Sequence, residues 1–346
     1  MKFNKYICIL IGIFFFSCKK DDVTVKSVTK TNPLVWKTYS NDIYGFCNSQ
    51  YIPLSYFGAF ALDKNNEAWL PVVSGIASFN QANLTNYPGF SDTTSGYILI
   101  DKSNNVWIGG WHGLNKFNGT SWQSYILPPT ALAINTQCID SAGNIWGTYD
   151  TSIARFDGSN WKTIKNPAGC TSNFYRGVNI NRKGQIWAGT GNGIGIVWIE
   201  NDTAHYVPNF IVKNSADSTK WYTDFPTSVN DVQFDVNDNL WVACGRGVFV
   251  YDGIKWRGYN KTNSGLIDND VYGIAFDKHG CVWIATYSGL QRLYNNTWSN
   301  YYTPFNTCMS QSNYGWKERI TYIKVDKNDC KWMLSYQCGM AVLVNE

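Results

Sequence analysis

Residues Ser264 to Tyr301 read SGLIDNDVYGIAFDKHGCVWIATYSGLQRLYNNTWSNY, and four features of this stretch recur along the chain. They are an apolar run ending in Asp277, Trp283 six residues later, the pair Gly289-Leu290, and a closing Trp298-x-x-Tyr301. An acid or amide six places before a tryptophan is found at Asp63/Trp69, Asp101/Trp107, Asp140/Trp146, Asn181/Trp187, Asp235/Trp241, Asp277/Trp283 and Asp326/Trp332, which makes seven copies. Their spacing runs from 38 residues (Asp63 to Asp101) to 54 (Asn181 to Asp235). Self-similarity at such a period belongs to solenoids, propellers and arrays, and the structure of one unit chooses between them.

Before each anchor the chain alternates apolar and small residues, as in Val271, Gly273-Ile274 and Phe276, the period of a strand. A polar turn follows, in which the anchor carboxylate can accept backbone N–H groups. A second strand carries the tryptophan and ends near a glycine six residues on, at Gly75, Gly113, Gly193, Gly247 and Gly289. Glycine tolerates positive φ and suits a reversal there. The third strand closes on Asn118-Gly119, Asp157-Gly158, Asp252-Gly253 or Asn295-Asn296, pairs suited to tight hairpins. A fourth strand bears the W-x-x-Y motif, weakened to Leu84-x-x-Tyr87 in the first unit and to Ala204–Val207 in the fourth.

Four antiparallel strands in each of seven units predict an all-β, seven-bladed β-propeller. After Trp332 only one further strand fits, Met340 to Val344, while Val35-Trp36-Lys37-Thr38-Tyr39 supplies an orphan W-x-x-Y before the first anchor. The N-terminal strand is therefore expected to complete the last blade. The pattern D-x-x-G-x-[IL]-W-I-G-T…G-L-x-[RK]-[FY], fullest in Asn269–Leu293 and Asp101–Phe117, resembles the two-component regulator propeller repeat. That resemblance spans about residues 35 to 346 and implies a periplasmic sensor-type propeller. It does not by itself imply a ligand.

The first residues are built like an export signal, with Lys2 and Lys5 ahead of an apolar run from Tyr6 to Phe16 that is short for a membrane span. Phe15-Phe16-Ser17-Cys18 resembles a lipobox, which implies lipidation at Cys18. The expected division is a lipoprotein signal peptide over 1–17, a flexible tether over 18–34 and the propeller over 35–346. The implied address is the cell envelope, anchored to the outer membrane by lipid alone, periplasmic or surface-exposed. The chain holds 29 basic and 25 acidic residues, and without Lys2 and Lys5 the excess falls to two, so nothing favours nucleic acid. The cysteines form no C-x-x-C pair; Cys281 and Cys330 hold equivalent places and read as core, and Cys308 with Cys338 is the favoured disulfide.

Strands that alternate in direction bring the second-to-third-strand turns and the blade-to-blade links to one face. The long links are at 41–57, 208–229 and 303–319, and long loops commonly carry function. Candidate ligand-binding residues on that face are Trp111, His112, Asp150, Arg176, Trp221, Arg246, Tyr287, Trp316 and Tyr336. Flat aromatics among amides, arginines and a carboxylate suit an oligosaccharide or peptide. For any one of them simple loop packing is the competing explanation. His112, His205 and His279 are dispersed, so no catalytic residue, metal or cofactor is expected. The function expected is a monomeric, non-catalytic, lipid-anchored binding or sensory propeller. Its alternatives are an enzyme resembling streptogramin lyase, with His112 and Asp150 as the pair on offer, or a scaffold that docks another envelope protein.

Overall fold

A computed structural model describes residues 35–39, 59–72, 75–81, 83–89, 97–111, 113–128, 133–149, 152–170, 175–191, 195–208, 213–214, 217–221, 229–303, 319–335 and 339–344. These form seven four-stranded antiparallel sheets and one two-stranded hairpin. Numbering the blades by their anchors, blade five runs Val229–Phe234, Leu240–Cys244, Gly247–Tyr251 and Trp256–Tyr259. Blade six runs Val271–Phe276, Val282–Thr286, Gly289–Tyr294 and Thr297–Tyr301. The seven-bladed propeller is thus as the repeat predicts.

Closure is also as expected. Trp36–Tyr39 is the fourth strand of blade seven, with Trp36 opposite Leu343 and Tyr39 opposite Met340. Val344 N–H extends the ladder to Val35 C=O at 2.9 Å. Residues 1–34, with Cys18, and the cysteine pair Cys308/Cys338 lie outside the described residues.

The anchor explains its own recurrence. Asp277 Oδ1 accepts the N–H of His279 (3.0 Å) and Cys281 (2.8 Å), while Oδ2 accepts the indole N–H of Trp283 (2.9 Å). The same three bonds are made by Asp101, Asp140, Asp235 and Asp326. One carboxylate therefore shapes the turn and fixes the tryptophan that fills the space between blades. Trp283 packs with Ile323, Met333 and Ala341 of the next blade, and both Trp283 and Trp332 are 0% exposed. Blades one and four depart from this pattern. Asn181 keeps the two backbone bonds but has an NH2 where the others have a second oxygen, so the buried Trp187 Nε1 has no acceptor among the described residues. The second oxygen of Asp63 accepts from Asn104 Nδ2 at 3.3 Å, and Trp69 Nε1 is likewise buried without a partner among the described residues.

The hairpin pairs need one correction. Tight two-residue turns occur at Asn201-Asp202 and Asn295-Asn296, where both residues have positive φ. Asn118-Gly119, Asp157-Gly158 and Asp252-Gly253 instead open four-residue loops between Phe117 and Trp122, Phe156 and Trp161, and Tyr251 and Trp256. The Asn or Asp side chain caps two N–H groups of the loop, as Asn118 Oδ1 does for Thr120 and Ser121. Cys281 and Cys330 are buried free thiols whose N–H groups cap the anchors, consistent with a core role.

Candidate functional site

The links and the second-to-third-strand turns do share a face. Tyr287 N–H, in the blade-six turn, donates to Asp270 C=O in the link ahead of that blade at 2.9 Å, and Ile134 N–H, in the link ahead of blade three, donates to Gly110 C=O in the blade-two turn at 2.9 Å. Around blade six this face is held firmly. Gln291, fully buried in the third strand, accepts from Ile267 N–H (2.9 Å) and donates to Gly265 C=O (2.9 Å) and Asn300 Oδ1 (2.7 Å). Buried Leu266 adds an apolar peg, so the link is fixed before any ligand arrives.

On that pinned link stand Asp268 and Asp270. Asp268 Oδ2 accepts the Ser288 hydroxyl. Burial, with the charge of Asp268 beside it, raises the Asp270 carboxyl above the ordinary range, and Arg319 works against the shift. The Arg319 guanidinium stacks over Tyr272 at 4.5 Å, and its Nε is buried without an acceptor among the described residues. From blade five Arg246 approaches the same place: it and Asp270 both act on the buried Cys244 thiol, which burial pushes up to about 12. The result is a cluster with aromatic faces, two carboxylates and two guanidinium groups across blades five to seven.

Of the sequence candidates, Arg246 and Tyr287 meet in this cluster. Trp111 stands apart in the blade-two turn, 50% exposed. Arg176 is displaced from its expected position. It is the second residue of the first strand of blade four, Tyr175–Ile180, and acts on the Tyr97 phenol at the propeller axis. Its neighbour Tyr175 is core, donating to Asn166 Oδ1 at 2.7 Å beside Cys170. Trp221 ends the small hairpin strand Asp217–Trp221, but its side chain, together with His112, Asp150, Trp316 and Tyr336, lies outside the described residues. Asp268, Asp270, Tyr272 and Arg319 do not stand out in the sequence because the link that bears the acids is short and lies within the repeat itself. The one available sign is two acids in three residues just ahead of an apolar strand.

The inner strands are tied to one another by side chains. Gln137 Oε1 accepts Val178 N–H (3.4 Å), Asn179 Nδ2 reaches Val232 C=O (3.0 Å) and Asn230 Nδ2 reaches Val271 C=O (2.7 Å). Asp231 Oδ2 accepts Ile274 N–H (3.0 Å). The bonds therefore run from blade three to blade six. Register shifts break five of these inner strands, and bulges of this kind re-aim side chains.

Residues 265–288, which contain both acids, Tyr272 and Tyr287, match the family model described as two component regulator propeller. The chain carries a two component regulator propeller repeat. Among solved structures this propeller is similar to the extracellular domain of a putative hybrid two component system from B. thetaiotaomicron, with 17% identity and a TM-score of 0.67. That match covers 90% of this chain but 41% of the other, so the chain spans about two fifths of the domain it matches. A streptogramin B lyase is similar at 13% identity and a TM-score of 0.67, covering 89% of this chain and 97% of that one. PorZ, a surface component of the type-IX secretion system of Porphyromonas gingivalis, is similar at 16% identity and a TM-score of 0.60, over 84% of this chain and 45% of that one. Identities this low establish the propeller fold and nothing finer. No curated protein matches the sequence.

Proposed function

We propose that this propeller is an extracytoplasmic recognition module that binds an oligosaccharide or peptide on its link-and-turn face without turning it over. The observation that carries the proposal is the Arg319 guanidinium, 4.5 Å over the Tyr272 ring with a buried Nε–H that meets no acceptor among the described residues. An orphaned buried donor costs about 1–3 kcal/mol, and a ligand oxygen arriving there would recover it. Asp268, Asp270, Tyr287 and Arg246 around it offer the mixture of acceptors, donors and a ring face by which polyhydroxylated or amide ligands are oriented. The resemblance to the extracellular domain of a two component system agrees with a location outside the cytoplasm, and anchoring through Cys18 is part of the same proposal.

A glycan and peptide array probed with the wild-type chain, followed by titration calorimetry on Arg246→Ala and Tyr287→Ala, tests it. A loss of affinity of tenfold or more is expected in each variant. Binding that is undiminished in both would remove the site from this face.

A further inference from the structure

The first strand of each blade runs from the link to the anchor and the second returns, so the anchor turns gather on the face opposite the links. The three residues that follow each of the seven anchors include six bases, Lys64, Lys102, Arg182, Lys183, Lys278 and Lys327, and two acids, Asp238 and Asp329. The formal net charge of the whole chain is +4, so these short turns hold as much unbalanced charge as the entire sequence. All six bases are exposed, and none joins an ion pair among the described residues.

The turns are tied to one another. Lys64 N–H donates to Asn104 Oδ1 (3.4 Å), Arg182 N–H to Asp238 Oδ1 (3.0 Å) and Lys278 N–H to Asp329 Oδ1 (3.3 Å), each reaching the turn of the following blade. Lys102 Nζ donates to Ser141 C=O (2.8 Å), and Lys327 Nζ donates to Lys64 C=O (2.7 Å) across the closure from blade seven to blade one. Both acids therefore hold turns in place, and Asp329 also pairs with the buried Lys331 at 3.2 Å. A fixed circle of exposed bases remains, and such a field attracts anions.

Two further features mark this face. Blade five has no base after its anchor and puts Val236 there at 59% exposure, while the loop between its third and fourth strands, at the same end of the blade, exposes Ile254 at 90%. The described chain also begins here. Cys330, four residues after the last anchor, reaches Val344 C=O through its thiol at 3.8 Å, and Val344 N–H is bonded to Val35 C=O. Cys18 precedes Val35 by 17 positions, and a flexible tether of that length spans about 20–25 Å.

We propose that the anchor-turn face docks on a bilayer through the anionic head groups of phospholipids, with the link face turned outward. This rests on the lipid anchoring proposed at Cys18 and leaves recognition on the opposite face to its own test. Bases with apolar side chains among them suit an anionic bilayer surface. Lipid is favoured over free phosphate because the bases are spread over blades one, two, four, six and seven, where a planar array of head groups can meet them together.

The test uses the full chain from an exporting bacterial host, added to preformed vesicles of phosphatidylcholine alone or mixed with phosphatidylglycerol. Lysines are acetylated with a membrane-impermeant reagent and quantified by mass spectrometry. A base near an anionic surface strengthens binding about fivefold, so Lys64, Lys183 and Lys278 are expected to label several-fold more slowly on the mixed vesicles. Lys165 and Lys261, on the link face, should label equally on both. Lys64→Gln/Lys278→Gln should restore most of the labelling of Lys183, and Lys165→Gln/Lys261→Gln should not. If the first pair does not fold, Arg182→Gln/Lys183→Gln replaces it, with Lys64 and Lys278 as reporters. Equal labelling of the ring on the two vesicles overturns the proposal, as does protection of Lys165 and Lys261 in its place. Protection by inorganic phosphate over phosphatidylcholine vesicles, equal to that by phosphatidylglycerol, overturns it as well. The mass of the Cys18 peptide in the same digest reports acylation separately. An unmodified Cys18 with a protected ring removes the lipid anchor and keeps the docking face, and an acylated Cys18 with an unprotected ring does the reverse.

Discussion

Replacing Asp277 with asparagine separates the two tasks of the anchor carboxylate. The amide oxygen of Asp277→Asn can still accept His279 and Cys281 N–H, so the turn survives. The NH2 then faces Trp283 Nε1, donor against donor, and Trp283, at 0% exposure, has no water to turn to. The variant also removes the negative charge 3.9 Å from the buried Lys331 ammonium. A hydrogen bond to a charged group contributes about 1.5–3 kcal/mol, so the expected loss is about 2–3 kcal/mol. At roughly 2–4 °C per kcal/mol for sizeable domains, the melting temperature should fall by several degrees. Asn181→Asp is the opposite change, because it gives the orphaned Trp187 Nε1 an acceptor; stabilisation of about 1 kcal/mol is expected. Urea midpoints of both variants, with calorimetry, measure the pair. An Asp277→Asn loss below about 0.5 kcal/mol, or an Asn181→Asp variant as unstable as Asp277→Asn, would refute the double role of the anchor carboxylate. The pH dependence follows with a definite sign. Burial opposes ionisation of Asp277, yet the bonds from Trp283 and Cys281, with Lys331 nearby, hold its carboxyl below the usual range; Asp101 and Asp140 are lowered by their indole, amide and backbone donors in the same way. A depressed folded-state value means the unfolded chain binds more protons, so this stability is present above about pH 4 and is lost as pH falls through the lower folded values. Asp277→Asn should flatten part of that acid limb.

Deleting the chain through Tyr39 should expose the Gly339–Leu343 edge and abolish the cooperative calorimetric transition or drive association visible by light scattering; an unchanged melt would contradict strand closure. Gly247 has φ +119, and a Cβ there would sit 2.1 Å from the Tyr259 carbonyl oxygen. Gly247→Ala should therefore cost more than about 2 kcal/mol by urea midpoint, with Gly253→Ala, where a Cβ would meet nothing within 4 Å, costing less.

The ring and its closure are legible in the sequence because one residue pair, Asp and Trp at fixed spacing, performs the same task in every blade where it makes all three bonds. One exception is legible too, since asparagine at position 181 alone implies a missing acceptor for Trp187. The basic ring is legible one residue at a time, since Lys64, Lys102, Lys278 and Lys327 each follow an anchor directly, but nothing in composition separates them from ordinary surface lysines. Only the bonds from turn to turn show that they stand together on one face. Arg176 reads as a loop residue because Cys170 to Phe174 contain no strand pattern to mark where the next blade begins. The rim acids are hidden by their place inside the repeat, where they resemble spacer residues, and only the bonds from Gln291 reveal that their link is held in place.

The bond from Val344 to Val35 brings the described ends of the chain within a single peptide-length step of each other. Where the polypeptide begins is then almost arbitrary with respect to the shape it makes. A short glycine-rich bridge between those ends, with fresh termini cut into the 208–229 link, should give a permuted chain that assembles the same wheel.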